Sequence, residues 1–165
     1  MTVQSAAAPP APVRTSFLLW VVNAGLAVVS MVLLLLGGPE LMMAGQPTQM
    51  DPGFQQAAMI GLYVAVGFLL VVIALELFFA FQMRAGRNWA RIVLAVLGGL
   101  AILLGLLGIG STFAMLGAGP LGAANAVISL IGYPLTIAAI VFMFLPGARD
   151  WFAPRAARVP PIPAG

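Results

Sequence analysis

Apolar positions in this chain fall into four long runs, and the breaks between them are short and rich in Pro, Gly or Arg. The first run covers 16–37 and holds about 20 apolar positions, the length a helix needs to cross a bilayer core. A signal-peptide core is only about 7 to 15 residues long, so this run is expected to remain as helix one. The stretch "GGPELMMAGQPTQMDPGF" is interrupted by Pro39, Pro47 and Pro52 and predicts a loop with interfacial Leu and Met. Helix two is predicted over about 55–82, "RAGR" as a tight turn, and helix three over about 89–112 with Asn88 as its N-cap. "FAMLGAGPLG" predicts the second outer loop, and helix four covers about 123–145, ended by Pro146 and Gly147. The small, Pro-rich residues 1–15 predict a disordered tail. Residues 147–165 predict a Pro- and Arg-containing tail that starts with an aromatic pair at interface height.

Composition turns this pattern into a class. Hydrophobic residues make up 62% of the chain and charged residues 7%, where soluble domains carry roughly 25% charged, and the mean hydropathy is +1.12. The expected fold is an all-α membrane protein, an antiparallel four-transmembrane-helix bundle over 16–146, because 165 residues accommodate four spans with short connections. There is no Cys and no His. Disulfides, thiol relays and most zinc or haem ligation therefore drop out, together with the commonest general base, and no cofactor or metal is expected.

Charge orients the bundle. All seven basic residues are Arg, and they lie before helix one (Arg14), in and just beyond the middle turn (Arg84, Arg87, Arg91), and after helix four (Arg149, Arg155, Arg158). The two other loops contain no Arg and hold Glu40 and Asp51. This asymmetry predicts a cell-membrane protein with both termini and the middle turn in the cytoplasm. The basic rim predicts contacts with anionic lipid headgroups through Arg84, Arg87 and Arg149, at about 1 kcal/mol per Arg. Arg87 and Arg91 stand at the start of helix three, where the helix dipole disfavours a cation, so another interaction must hold them there.

Glu76 is the single acid inside a predicted span, at about 2.5 to 3.5 kcal/mol for a central charge, and its position asks for a partner. It lies about 9 Å inside the cytoplasmic end of helix two at 1.5 Å per residue. The 100° step places Ala57, Ala58, Gly61 and Ala65 on its side of the helix, with Phe78 and Phe81 pointing away. On helix three the same count aligns Arg91, Gly98, Ala101, Gly105, Gly108 and Thr112. Helix one offers Asn23, Ala27 and Ser30, and helix four offers Asn125, Ser129, Gly132, Thr136 and Ala139. These stripes predict an intramembrane polar cluster of Asn23, Glu76, Arg91 and Thr136, with a Glu76–Arg91 pair serving as an assembly lock or, in the sharper reading, a proton or ion site; the third reading leaves Glu76 near the interface without a partner.

No nucleotide loop, metal-ligand spacing or catalytic triad is present, and the arginines lack a folded surface on which to present nucleic acid. The turn "RAGRNWARIVL", the start "PVRTSFLLW" and the ending "AAIVFMFLPGARDWF" resemble small tetraspan membrane proteins of actinobacteria, over residues 13–152. The resemblance implies the four-helix architecture and the cell membrane, with no activity to carry over. The leading expectation is a non-catalytic accessory, scaffold or regulatory subunit of an envelope complex, in contact with membrane lipids and with other subunits or copies of itself. The alternative is a small oligomeric proton-coupled transporter or channel using Glu76. Four-helix multidrug exporters also use one membrane glutamate, but here the acid is in the second helix, lacks a flanking tryptophan or tyrosine cage, and has Arg91 as its expected partner.

Overall fold

The computed structural model describes residues 8–42 and 51–152, and among these it contains helices and turns but no strand. Six helices follow in order: α1 (Ala11–Met42), α2 (Pro52–Arg84), α3 (Asn88–Leu107), α4 (Ile109–Leu116), α5 (Gly119–Phe144) and α6 (Pro146–Phe152). Four stretches are long and apolar enough to cross a membrane: Ala11–Gly38, Gln56–Arg84, Asn88–Leu107 and Gly119–Phe144. The expected tail up to residue 7, the loop over 43–50 and the tail from 153, with Arg155 and Arg158, lie outside the described residues.

Local chemistry moves several of the predicted boundaries. Helix one starts at Ala11, because Pro12 occupies its first turn, where a missing N–H costs nothing. Gly38 interrupts this helix with a left-handed backbone (φ 62°), a conformation open to glycine but strained for other residues. The third span ends at Leu107, five residues early. Gly108 breaks it, and the Gly108 carbonyl instead accepts from the Ser111 hydroxyl at 2.7 Å and from the Ser111 amide at 3.1 Å. Part of the expected second loop is therefore helix α4, packed against α5. Asn88 is the first helical residue and makes no side-chain cap; Arg87 holds the cap position. Leu145 is extended (φ −60°, ψ 149°), as a residue before proline prefers, so Pro146 ends α5 and opens α6.

The four long helices touch in a ring, α1 to α2, α2 to α3, α3 to α5 and α5 back to α1. Polar ties along α1 recur every seven residues, two turns of helix apart, and so stay on one face. Ser16 Oγ donates to the Ala139 carbonyl at 2.8 Å, Asn23 Nδ2 donates to Glu76 Oε1 at 3.2 Å, and Ser30 Oγ donates to Asn125 Oδ1. Around Ser16 the end of the bundle is tightly packed by Val13, Phe17, Trp20, Met83, Leu94 and Met143. Beyond the polar ties the flanks are apolar and open, with Phe68 70% and Leu107 78% exposed. Exposed apolar faces on this scale suit a lipid surround and would be rare on a soluble monomer.

Glycine does its packing work on α3. A Cβ at Gly98 would stand 2.8 Å from the Trp20 ring and 3.1 Å from Thr136 and Ile140, so only a hydrogen lets α1 and α5 approach here. A Cβ at Gly105 would stand 2.6 Å from the Tyr133 hydroxyl oxygen. The expected small-residue face of α2 is different: Ala57, Gly61 and Ala65 are exposed, and Leu62, Ile73, Ala80 and Met83 are buried. Leu62, Ile73 and Met83 form most of the inward ridge of α2, joined by the small Ala80, since burying a leucine removes more apolar area than burying an alanine. Phe78 and Phe81 are about half exposed, on the outward side, although Phe81 also meets Phe17 edge to face at 5.2 Å.

Candidate functional site

Two polar regions form, and the four residues expected to cluster are divided between them. In the first, Asn23 of α1 bonds Glu76 of α2, bringing the intramembrane acid and the amide together. Asn23 also lines a cleft of about 280 Å³ between the helices, with Ser30, Ser129, Tyr133, Thr136 and Gly105. Thr136 thus shares a cleft with Asn23, but its hydroxyl donates to the Gly132 carbonyl one turn back in its own helix, at 2.9 Å. Ser129 does the same to Asn125, at 2.9 Å. Hydroxyls bonded this way keep acceptor lone pairs available, so Ser129 and Thr136 remain acceptors on a cleft wall that also carries Ser30, Tyr133 and the Asn23 amide.

Arg91 is not in this cluster. It forms no ion pair with Glu76, whose partner is Asn23. Its guanidinium sits 4.7 Å from the Phe144 ring and 4.8 Å from the Phe152 ring, with Nη1 donating to the Met143 carbonyl at a long 3.5 Å. The reason is axial. Arg91 is three residues into α3, whereas Glu76 is eight residues before the end of α2, a difference in depth of about 7.5 Å at 1.5 Å per residue. Closer at hand is the end of α5, where the last-turn carbonyls lack helical partners and the dipole attracts a cation. The unfavourable placement of Arg91 at the start of α3 is thus offset by a favourable one at the end of α5 and by two cation–π contacts, each about 0.5 to 2 kcal/mol depending on desolvation.

The second polar region is a cleft of about 350 Å³ at this corner, lined by Asn88, Arg91, Phe144, Arg149 and Phe152. Three helices contribute to it. The turn beneath is shaped by Gly86 (φ 84°), where a Cβ would stand 3.4 Å from the Trp151 backbone and indole, so the middle turn packs closely on α6. Of the other expected headgroup contacts, Arg84 lies over the Phe17 ring at 4.8 Å and Arg87 stands exposed in the turn. Arg149 is exposed and reaches the cleft.

Sequence reasoning missed Ser16 as a tie between helices, and Phe144 and Phe152 as the partners of Arg91. The spacing of Ser16, Asn23 and Ser30 was the available signal for the first; nothing local marked the second, because α6 is formed by the residues expected to be a tail. Among the described residues there is no group of His, Cys, Asp and Glu able to hold a metal. No family model matches the chain, and no curated protein or solved structure matches it either.

Proposed function

We propose that the chain is a non-catalytic integral protein of the cell membrane that works by contact, as an accessory, scaffold or regulatory subunit of an envelope complex. Its four spans form an antiparallel bundle with both termini on the cytoplasmic side. Two observations support the antiparallel order: Ser16 reaches Met83 while Asn23 reaches Glu76, and Ser16 reaches Ala139 while Ser30 reaches Asn125. The resemblance to actinobacterial tetraspan proteins points the same way.

The observation that carries the contact reading is the open flank of α2. This helix touches α1 and α3 on one side and leaves Tyr63, Val64, Phe68, Val71 and Phe78 exposed along the other. Aromatic residues at this density suit a packed protein surface as well as lipid. Cross-linking in cells followed by purification in nanodiscs tests the reading. A reproducible partner captured through α2, and lost in Phe68→Ala with Phe78→Ala, is the expected result; recovery of nothing beyond copies of the same chain overturns it.

A second reading draws on one specific observation, the absence of an ion pair at Glu76. An intramembrane carboxyl held by the single amide of Asn23, which itself lines the cleft, is the kind of group an oligomeric proton-coupled transporter or channel would use. Substrate-coupled proton flux in proteoliposomes, abolished in Glu76→Gln, would put this reading first.

A further inference from the structure

Arg91 of α3 and Arg149 of α6 bring two guanidinium groups to one cleft, together with the Asn88 amide and the rings of Phe144 and Phe152. None of these five residues is an acid, and Asp150, next in sequence to Arg149, does not line the cleft. Two cations facing one pocket repel each other unless an anion lies between them. Arg91 is held at the wall by its two ring contacts and by the Met143 carbonyl. The rings stabilise its charge but accept no conventional hydrogen bond, and its Nε–H is buried with no acceptor. A buried charged donor without an acceptor is costly, and Arg91 also lines the cleft, where its guanidinium has Arg149 as its neighbour and no acid on the wall.

We propose that this cleft binds a phosphate ester, carried either by an anionic lipid headgroup or by a small soluble molecule. Guanidinium groups match phosphate oxygens through paired N–H bonds, the Asn88 side chain adds an amide donor, and the two phenyl rings supply an apolar wall for the ester carbons. The proposal rests on reading the arginine end as a lipid-facing rim and narrows it: Arg91 and Arg149 form the site, while Arg84 and Arg87 do not line it.

The test uses the full chain in nanodiscs of phosphatidylcholine with and without phosphatidylglycerol, with retained lipid counted by native mass spectrometry and soluble glycerol 3-phosphate added as competitor. Two variants remove equal charge, Arg91→Gln with Arg149→Gln, and Arg84→Gln with Arg87→Gln. Retention of phosphatidylglycerol is expected to fall roughly ten-fold per arginine in the first, as for a charged hydrogen bond, and by less than about three-fold in the second. If the first variant does not assemble, Asn88→Asp adds an acid to the cleft wall, leaves both arginines in place, and is expected to lower retention in the same direction. Displacement by glycerol 3-phosphate identifies a site open to soluble esters, and retention without displacement identifies a lipid site; both support the proposal. Equal losses in the two double variants, a loss confined to Arg84 and Arg87, or no loss in Asn88→Asp overturn the cleft while leaving the lipid-facing rim intact. No preference for phosphatidylglycerol in the unaltered protein, with no effect of glycerol 3-phosphate on its melting, overturns both.

Discussion

Asn23 holds Glu76 through one amide N–H, and that bond sets how each residue responds to substitution. Asn23→Leu strands an acceptor in the bundle and is expected to lower stability by about 1 to 3 kcal/mol. Glu76→Gln retains an oxygen for the Asn23 amide and removes a charge from an apolar setting, so it should melt no lower than the unaltered protein. Thermal unfolding in detergent, followed by tryptophan fluorescence, checks both. A large loss in Glu76→Gln would mean that an ionic partner holds the carboxylate. Exchanging Glu76→Arg with Arg91→Glu should restore nothing, because the two side chains answer to different neighbours. Asn23 and Glu76 were legible in sequence as polar residues at matching depth in two apolar runs. The destination of Arg91 was not, since its aromatic partners come from the end of α5 and from α6, more than fifty residues away.

Within helices, matched glycines separate packing from propensity. Gly98→Ala and Gly105→Ala each drive a methyl group into an aromatic ring and are expected to cost about 1 to 3 kcal/mol. Gly99→Ala and Gly61→Ala meet nothing within 4 Å and should be neutral or stabilising by up to about 1 kcal/mol through helix propensity. The same melts in detergent decide it, and equal losses at Gly98 and Gly99 would show that the α3 seam does not pack as described. Periodicity anticipated the close approach at Gly98 and Gly105 of α3 but not the burial of Ala90 and Leu94, and it placed Ala101 and Gly108, which are exposed, on the same face. It misassigned α2, whose apolar residues surround the helix, so that no polar face marks the outside. The break at Gly108 escaped for a related reason: one glycine in an apolar run is tolerated in some helices and ends others, depending on what packs beyond it.

At the scale of the whole molecule the proposed orientation makes a direct prediction, and the absence of cysteine leaves no background labelling. Ala85→Cys, in the middle turn, should resist a membrane-impermeant maleimide in intact cells and react after lysis. Ala118→Cys, between α4 and α5, should react in intact cells. The reverse pattern would invert the bundle and place the arginine cleft outside.

What the chain by itself determined is what additive, local quantities determine: four apolar runs of spanning length, Arg gathered at alternate ends of those runs, and proline and glycine where helices start or bend. Each depends on the free energy of transferring a segment into an apolar medium, which neighbours in sequence settle among themselves. Tertiary structure alone decided which polar groups meet. Hydrogen bonds and cation–π contacts require approach within about 3 to 6 Å, and that depends on axial register and on the angle at which helices cross. Glu76 therefore found an asparagine rather than an arginine. Arg91, drawn to the Met143 carbonyl and the rings of Phe144 and Phe152, joined Arg149 in a cleft whose parts lie far apart along the chain.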